Sequence, residues 1–281
     1  MIEAILAALC WGGTDALAGI SSRRSTAVLA AFWLHVASLA ALVPFLMYGK
    51  GSGGFADITP QDAVYGLLAG VLAAVGDVLF GKAATISKMS VGIPLANVVA
   101  TAVPVSVAML QGATVTGIAM AGIGGALLAC WFASTPANGE LEARGAKYAI
   151  SAGLCFGAMY GLLGQVHAAQ GIPVIFLMRS AGTVALLPGV WMKRVQASRQ
   201  AVLAGLPAGL LSGIASVSAN YLFVLAESIG PRAIIPVVAV GLSAPAGMLI
   251  ANMACRERLT KIQMASASFA VAALAVLAVQ G

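Results

Sequence analysis

The chain has 281 residues, of which 60% are apolar and only 9% are charged. Soluble domains contain about 25% charged residues, so this chain lacks the polar side chains needed to cover a surface facing water. Its net charge of +6 comes from basic residues spread singly between apolar runs, whereas nucleic-acid-binding surfaces cluster them with aromatic residues. Composition therefore excludes a soluble domain and a nucleic-acid partner, and it predicts an all-α integral membrane protein whose partner is the lipid bilayer.

Ten apolar segments reach the length of about 20 residues that crossing a bilayer requires. In chain order, spans 1 to 10 cover residues 2–20, 27–48, 63–83, 90–110, 114–134, 147–167, 172–192, 201–225, 232–252 and 260–280. The connections are too short for a soluble domain. No positively charged stretch precedes span 1, so we expect it to remain in the protein and not to be removed as a signal peptide.

The sequence repeats itself at an offset of 143–145 residues. Three pairs of segments match in the same order: 9–12 with 154–157, 66–70 with 209–213, and Pro44 with Pro188. The predicted units are therefore 1–138 and 139–281, with five spans each. Because five is odd, the second unit enters the membrane from the opposite side. Two such inverted repeats around a central cavity are typical of secondary transporters, with the substrate site between the repeats.

Lys and Arg residues favour one side of the membrane. Twelve of them lie in or beside the loops after odd-numbered spans, against Lys50 and Arg232 on the other side. Cytoplasmic loops carry the excess of basic residues, so we expect the odd-numbered loops in the cytoplasm and both termini outside.

Small residues and prolines recur at set positions. Glycines four apart let helices approach closely in lipid, either as static packing or as sliding contacts for a rocking motion: Gly153, Gly157 and Gly161, and Gly205, Gly209 and Gly213. Spans 4 and 9 occupy equivalent places in the two units, and each contains two prolines: Pro94 and Pro104, and Pro236 and Pro245. Paired, interrupted spans point to a transport site.

Ionisable residues inside a span are costly in lipid, so each is a candidate functional residue. Asp77 and Lys82 lie in span 3, and Asp15 lies near the end of span 1. Each carboxyl group is a candidate to bind substrate, to carry a coupling proton or to tie two helices together. Lys82 either belongs to the site or extends to the cytoplasmic surface. His35 in span 2 and Arg179 in span 7 occupy matching positions in the two units. They are candidates to act as gates or to tie helices together.

Uncharged polar and aromatic residues complete the predicted substrate site. Asn220 matches Asp77 in the second unit, and Asn97 and Ser243 lie on the proline-containing spans. Four aromatic residues lie well inside the spans, where they either stack on a substrate ring or pack in the core: Trp11, Phe80, Tyr160 and Tyr221.

Motifs for other kinds of chemistry are missing from the sequence. It contains no Walker A, HExxH or GxSxG motif and no His/Cys cluster, which argues against ATP drive, a metal site and nucleophilic catalysis. The four cysteines lack CxxC spacing, so we expect no disulfide framework. We predict that the protein is not an enzyme and uses no cofactor.

Four features together form a set that covers the whole chain. They are Trp11-Gly12 with its echo Phe156-Gly157, Leu79-Phe80 and Ala83 with their echo Leu222-Phe223 and Ala226, the proline-containing spans 4 and 9, and Arg256-Glu257-Arg258-Leu259-Thr260. This set resembles the drug/metabolite transporter superfamily of the EamA type, whose last motif reads Gly-Glu-Arg-Leu-Thr. At the corresponding place in the first unit, residues 111–114 lack the charges. Family members usually place both termini inside, whereas the basic residues here indicate the reverse.

The resemblance implies export of small metabolites, and the chain is most similar in character to the bacterial aromatic amino-acid exporters. We expect a secondary transporter that exports aromatic and other neutral amino acids across the inner membrane by alternating access, as a monomer or weak homo-oligomer. Spans 1, 3, 4, 6, 8 and 9 would line the cavity. An exporter of drugs or other metabolites with the same fold is the alternative; an intramembrane enzyme or an assembly subunit is the alternative of another class.

Overall fold

The structure is a computed structural model that describes residues 2–48, 55–112, 143–167, 171–196, 198–229, 235–255, 257 and 259–280, and isolated positions between 117 and 132. Most of predicted span 5 and the predicted boundary at residues 138 and 139 lie outside these described residues.

The described chain is helical and contains no strand. Besides a short 3₁₀ turn at Phe55–Asp57, it forms nine α-helices, which are α1 (Ile2–Arg24), α2 (Ala27–Tyr48), α3 (Pro60–Ile86), α4 (Met89–Leu110), α5 (Ala143–Leu163), α6 (Gly171–Gln196), α7 (Arg199–Ile229), α8 (Ile235–Cys255) and α9 (Lys261–Gln280). Helices α1–α4 coincide with predicted spans 1–4, and α5–α9 coincide with spans 6–10.

Seven of the described helices, α1 to α7, are long and apolar enough to cross a membrane. The apolar part described in α8, Ala239–Cys255, is shorter. Large apolar side chains such as Leu9, Leu154 and Leu211 are exposed on the helix surfaces, as expected for residues that face lipid. The predicted all-helical class is therefore confirmed for this part of the chain, and its seven long apolar helices fit a membrane-embedded protein.

The prolines do not interrupt the helices. Helix α4 continues through Pro94 and Pro104, and α8 continues through Pro245. Each proline removes one backbone donor, but the neighbouring hydrogen bonds keep the helix intact. The expectation of broken helices in spans 4 and 9 is therefore wrong for these three positions.

Helices of the first half, α1–α4, pack mainly against helices of the second half, α5–α9. Helix α1 lies against α7 and α8, and α5 lies against α3 and α4. In the same way α2 packs on α7, while α3 packs on α6. The two halves are thus interleaved, and any cavity at the centre is lined by both of them.

Glycines form the closest of these contacts. A β-carbon on Gly12 of α1 would lie 2.6 Å from the β-carbon of Ala246 on α8. At the matching position of α5, a β-carbon on Gly157 would lie 2.7 Å from the β-carbon of Val103 on α4. Because no side chain fits at either glycine, the helix backbones approach each other closely there.

A single carboxylate, Glu257, joins the two halves at one end of the bundle. Helix α4 begins without a side-chain cap from Lys88. Its first N–H groups instead donate to Glu257, from Met89 at 3.2 Å and from Ser90 at 2.9 Å. The guanidinium of Arg23, at the end of α1, donates to the same carboxylate at 2.8 Å. Glu257 lies between α8 and α9, so the second half caps a helix of the first.

Candidate functional site

A small cavity lies between the two halves of the bundle. Its lining residues come from α1, α3, α5, α6 and α7: Trp11, Thr14, Asp15, Ala73, Asp77, Phe156, Met159, Tyr160, Arg179, Ser216 and Asn220. Its volume of about 20 Å³ accommodates about one water molecule. A set of charged, polar and aromatic side chains therefore surrounds a narrow, partly open space.

Three aromatic rings pack together on one side of the cavity. The ring of Trp11 lies 4.6 Å from that of Tyr160 and 5.3 Å from that of Phe223, and the last two rings are 5.6 Å apart. These centroid separations lie within the range in which tilted aromatic pairs attract each other. Helices α1, α5 and α7 thus meet through an aromatic cluster, and two of its rings, Trp11 and Tyr160, line the cavity.

The indole of Trp11 also fixes the orientation of a buried amide. Its Nε1 donates a hydrogen bond of 3.1 Å to Oδ1 of Asn220. Because an indole N–H can only donate, the amide must present its oxygen to Trp11 and its NH₂ group elsewhere. That Nδ2 atom is buried and has no hydrogen-bond partner among the described residues.

On α1, Asp15 belongs to a polar chain that runs to α4 and α8. The amide Nδ2 of Asn97 donates to Oδ2 of Asp15 at 3.2 Å and to Oγ of Ser243 at 3.0 Å. The hydroxyl of Ser243 in turn donates to the carbonyl of Val240. Asn97 and Ser243 are almost fully buried. These hydrogen bonds position the Asp15 carboxylate at the cavity wall and leave it with a single amide donor as its described hydrogen-bond partner.

The second carboxylate of the cavity, Asp77 on α3, pairs with His35 on α2. The Nε2 atom of His35 lies 3.1 Å from Oδ2 of Asp77, and the histidine side chain is completely buried. The contact joins a ring nitrogen to a carboxylate oxygen, and the tautomer of His35 decides whether that nitrogen donates or accepts. The imidazole thereby holds Asp77 in place at the cavity.

A buried guanidinium completes the charged groups. Arg179 on α6 is only 2% exposed, and its Nη2 donates to Oγ of Ser216 on α7 at 2.6 Å. Its Nε atom has no hydrogen-bond partner in the described structure. No carboxylate of the described residues lies within ion-pair distance of this group.

The structure brings seven of the ten sequence-predicted site residues together. Five line the cavity, namely Trp11, Asp15, Asp77, Tyr160 and Asn220. Asn97 and Ser243 adjoin it through Asp15.

The other three predicted residues do not line this cavity. Phe80 lies behind the wall and packs on Phe156, with ring centroids 6.3 Å apart. Tyr221 is 38% exposed. Lys82 is also exposed, and its ammonium group lies 5.5 Å from the ring centre of Tyr148. Lys82 therefore makes a cation–π contact on the helix surface.

Sequence reasoning did not include several lining residues in the predicted site. Thr14, Ala73, Met159 and Ser216 are ordinary residues of apolar helices, and no sequence signal distinguishes them from their neighbours. Arg179 was visible as an ionisable residue inside a span. Its contacts determine its role, and its hydrogen-bond partner, Ser216, lies on another helix. Phe156 belongs to the repeated Phe-Gly pair, which was a detectable signal.

The described residues contain no group of three His, Cys, Asp or Glu side chains that could hold a metal ion. The chemistry available at the cavity is therefore that of two carboxylates, one guanidinium, amides, hydroxyls and aromatic faces. Such a set is suited to binding a small molecule that carries both charges and a ring.

No family model and no curated protein matches the chain. A solved crystal structure of a protein superposes on it with a TM-score of 0.71, covering 100% of this chain and 99% of the other. The two sequences are 13% identical. At this level of identity the likeness shows the fold alone: the helices of this chain follow an arrangement that also occurs in a crystallised protein.

Proposed function

We propose that the protein is a secondary transporter that exports small metabolites, amino acids first among them, by alternating access. The observation that carries this proposal is the cavity itself, where side chains from both halves place two carboxylates, a guanidinium and aromatic rings together. Buried charges are costly in a bilayer and are found mainly where they serve a substrate or ion pathway.

The proposed architecture is ten spans arranged as two inverted repeats. Equivalent helices of the two halves make equivalent contacts, which supports this architecture. Helix α1 packs on α7 and α8, and its counterpart α5 packs on α3 and α4, the counterparts of α7 and α8. Matching glycines support it as well. A β-carbon on Gly70 would clash with the carbonyl of Met178 on α6, and one on Gly213 would clash with the carbonyl of Leu34 on α2. Equivalent contacts in both halves are expected when one unit is repeated.

The narrow cavity corresponds to one state of the proposed cycle. A space for about one water molecule does not admit an amino acid, so binding requires the halves to move apart on one side. The aromatic cluster would then offer ring faces to the substrate side chain. Asp15 and Asp77 are the candidates for carrying a coupling proton.

The proposed location is the cell inner membrane, with the loops after odd-numbered spans in the cytoplasm. Membrane-impermeant maleimide applied to intact cells tests this orientation in a cysteine-free background. It should label Gln61→Cys, near the start of α3, and should not label Lys88→Cys, at the start of α4. The opposite labelling pattern would reverse the proposed orientation.

Uptake into liposomes that contain the purified protein tests the proposed function. Labelled tryptophan is supplied, with threonine and an unrelated drug as comparisons, and phenylalanine is added as a competitor. We expect tryptophan uptake above that of empty liposomes and competition by phenylalanine. Asp77→Asn should reduce uptake without loss of folded protein, whereas Arg144→Gln, an exposed position on α5, should leave it unchanged.

Two results would contradict this proposal. Folded protein that takes up no amino acid would rule out the amino-acid exporter, and uptake of the drug alone would favour the alternative of a drug or other metabolite exporter with the same fold. Uptake that is unaffected by Asp77→Asn would remove Asp77 from the transport site.

A further inference from the structure

Two hydrogen-bond donors of residues at the cavity have no acceptor among the described residues. The first is Nε of Arg179 on α6, and the second is Nδ2 of Asn220 on α7. Both residues line the cavity, and their exposed fractions are 2% and 1%. Buried polar groups in proteins are almost always paired, so two unpaired donors at one cavity indicate a missing acceptor.

The hydrogen bonds that these two residues do make leave the free donors fixed. Trp11 holds the oxygen of the Asn220 amide, so the amide cannot turn to pair its NH₂ group. Ser216 holds Nη2 of Arg179 at 2.6 Å. Each side chain is therefore anchored by a protein partner on one side, as binding residues with pre-organised geometry are.

The charge of Arg179 points to an anion as the missing acceptor. Within the described chain, the nearby carboxylate Asp77 has His35 as its hydrogen-bond partner, and Arg179 has only a hydroxyl. Asp77 attracts the buried guanidinium from beyond ion-pair distance, so an anion in direct contact with Arg179 would stabilise it further. A guanidinium presents N–H groups in a planar fork that matches the two oxygens of a carboxylate.

We propose that Arg179 and Asn220 form a subsite that binds the carboxylate group of the transported molecule. The inference rests on the proposed function and deepens it, since it names the chemical class of the substrate: a small monocarboxylate with an aromatic or apolar side chain. The unoccupied acceptor capacity of Asp15, across on α1, suits the ammonium group of an amino acid. A phosphate dianion is disfavoured relative to a carboxylate, because Asp15 and Asp77 both line the cavity and repel two negative charges more strongly than one.

Thermal unfolding of the purified protein in detergent, with three related ligands, tests the subsite. Tryptophan carries the ring, the amine and the carboxylate, whereas indole-3-propionate lacks the amine and tryptamine lacks the carboxylate. We expect tryptophan and indole-3-propionate to raise the unfolding temperature of the unmodified protein, with inorganic phosphate giving no increase.

Variants at the subsite separate the carboxylate from the ring. Arg179→Gln should weaken the apparent affinity for tryptophan and indole-3-propionate about tenfold or more, the loss typical of one charge-assisted hydrogen bond, and leave any tryptamine effect unchanged. Arg179→Lys keeps the positive charge but not the planar fork of N–H groups. Its affinity for the two carboxylates should lie between those of the unmodified protein and Arg179→Gln. It replaces Arg179→Gln if that variant does not fold. Arg144→Gln is the control for loss of a distant exposed cation.

The outcomes distinguish this inference from the proposed function. Binding of indole-3-propionate that depends on Arg179, without tryptophan uptake by liposomes, would keep the subsite and remove the transporter. Tryptophan uptake with carboxylate affinity unchanged in both Arg179 variants would keep the transporter and overturn the subsite. The subsite would also be overturned if neither tryptophan nor indole-3-propionate stabilises the unmodified protein, or if phosphate alone does.

Discussion

At the scale of single residues, the site consists of side chains that are unusual for lipid. Charged side chains within an apolar segment stand out in the sequence because the bilayer penalises them, and Asp15 and Asp77 were found in this way. Asn220 was found as the match of Asp77 in the second unit. Lys82 met the same criterion but has an exposed side chain. It follows Asp77 by five residues, which rotates it by about 140° around a helix, away from the face that Asp77 presents.

The hydrogen bond from Trp11 to Asn220 gives a prediction at this scale. Replacing Trp11 with Phe keeps an aromatic ring but leaves the buried amide oxygen of Asn220 without its donor. Such an unpaired buried acceptor costs about 1–3 kcal/mol of stability. We therefore expect Trp11→Phe to lower the thermal unfolding temperature of the purified protein in detergent.

Trp33 provides the matched control for this change. Its indole Nε1 is also buried but has no hydrogen-bond partner in the described structure. Trp33→Phe therefore removes the same group without leaving an acceptor unpaired, from a tryptophan that is half-buried where Trp11 is buried. Equal destabilisation by the two variants would mean that ring volume, and not the bond to Asn220, accounts for the effect.

At the scale of helices, the sequence indicates where the chain is helical but not which faces meet. The glycine spacing marked Gly153, Gly157 and Gly161 as one face of α5. The first two pack closely on α4, whereas a β-carbon on Gly161 would meet no atom of the described residues within 4 Å. Helices diverge from their crossing point, and the position of that point depends on the partner helix, which a single segment does not encode.

Two adjacent glycines of α1 give a prediction about helix contacts. A β-carbon on Gly12 would lie 2.7 Å from the backbone nitrogen of Gly247, in addition to its clash with Ala246. One on Gly13 would approach only the end of the Ile250 side chain, at 4.0 Å. Gly12→Ala should therefore destabilise the protein by about 1–3 kcal/mol, because the packed helix backbone must move.

Gly13→Ala is the control for this contact. Alanine favours the helix over glycine by about 1 kcal/mol, so this variant should be neutral or slightly stabilising. Thermal unfolding in detergent compares both variants with the original protein. A Gly12→Ala protein as stable as the Gly13→Ala protein would refute the close contact between α1 and α8.

At the scale of the whole molecule, the repeat offset of 143–145 residues predicts two related halves that follow each other along the chain. The sequence did not indicate that the halves interleave, because the choice of partner for each helix depends on shape at many contacts. It also did not identify the function of Glu257. That residue belongs to the Arg-Glu-Arg-Leu-Thr segment, which was used only as a family resemblance.

Glu257 gives a prediction at this scale, because it connects the halves. Burial raises the pKa of its carboxyl group, but hydrogen bonds from the N–H of Ser90, the side chain of Arg23 and the N–H of Met89 outweigh that effect. The pKa therefore lies below its ordinary value of 4.5. A carboxyl group with a lowered pKa stabilises the folded state above its ordinary value, and this contribution is lost as the pH falls through the lowered pKa.

Glu257→Gln should consequently lower the unfolding temperature at neutral pH, and the gap to the original protein should shrink as the pH falls below 4.5. Arg23→Gln and the double variant complete a mutant cycle that isolates the ion pair. A gap that stays constant down to pH 3 would show that the charge of Glu257 does not hold the halves together.

The interleaving of the halves also determines when the protein can finish folding during its synthesis. Helix α1 finds its main partners in α7 and α8, and Arg24 and Arg199 are 175 positions apart. Ribosomes add about 5–20 residues each second, so α1 waits roughly 10–35 s before α7 begins to emerge. During that interval the face bearing Trp11 and Asp15 lacks its main partners, although Asn97 of α4 and Tyr160 of α5 emerge earlier. The insertion machinery or the surrounding lipid must cover this face until then. Quality control therefore has more access to the nascent chain than to the finished protein.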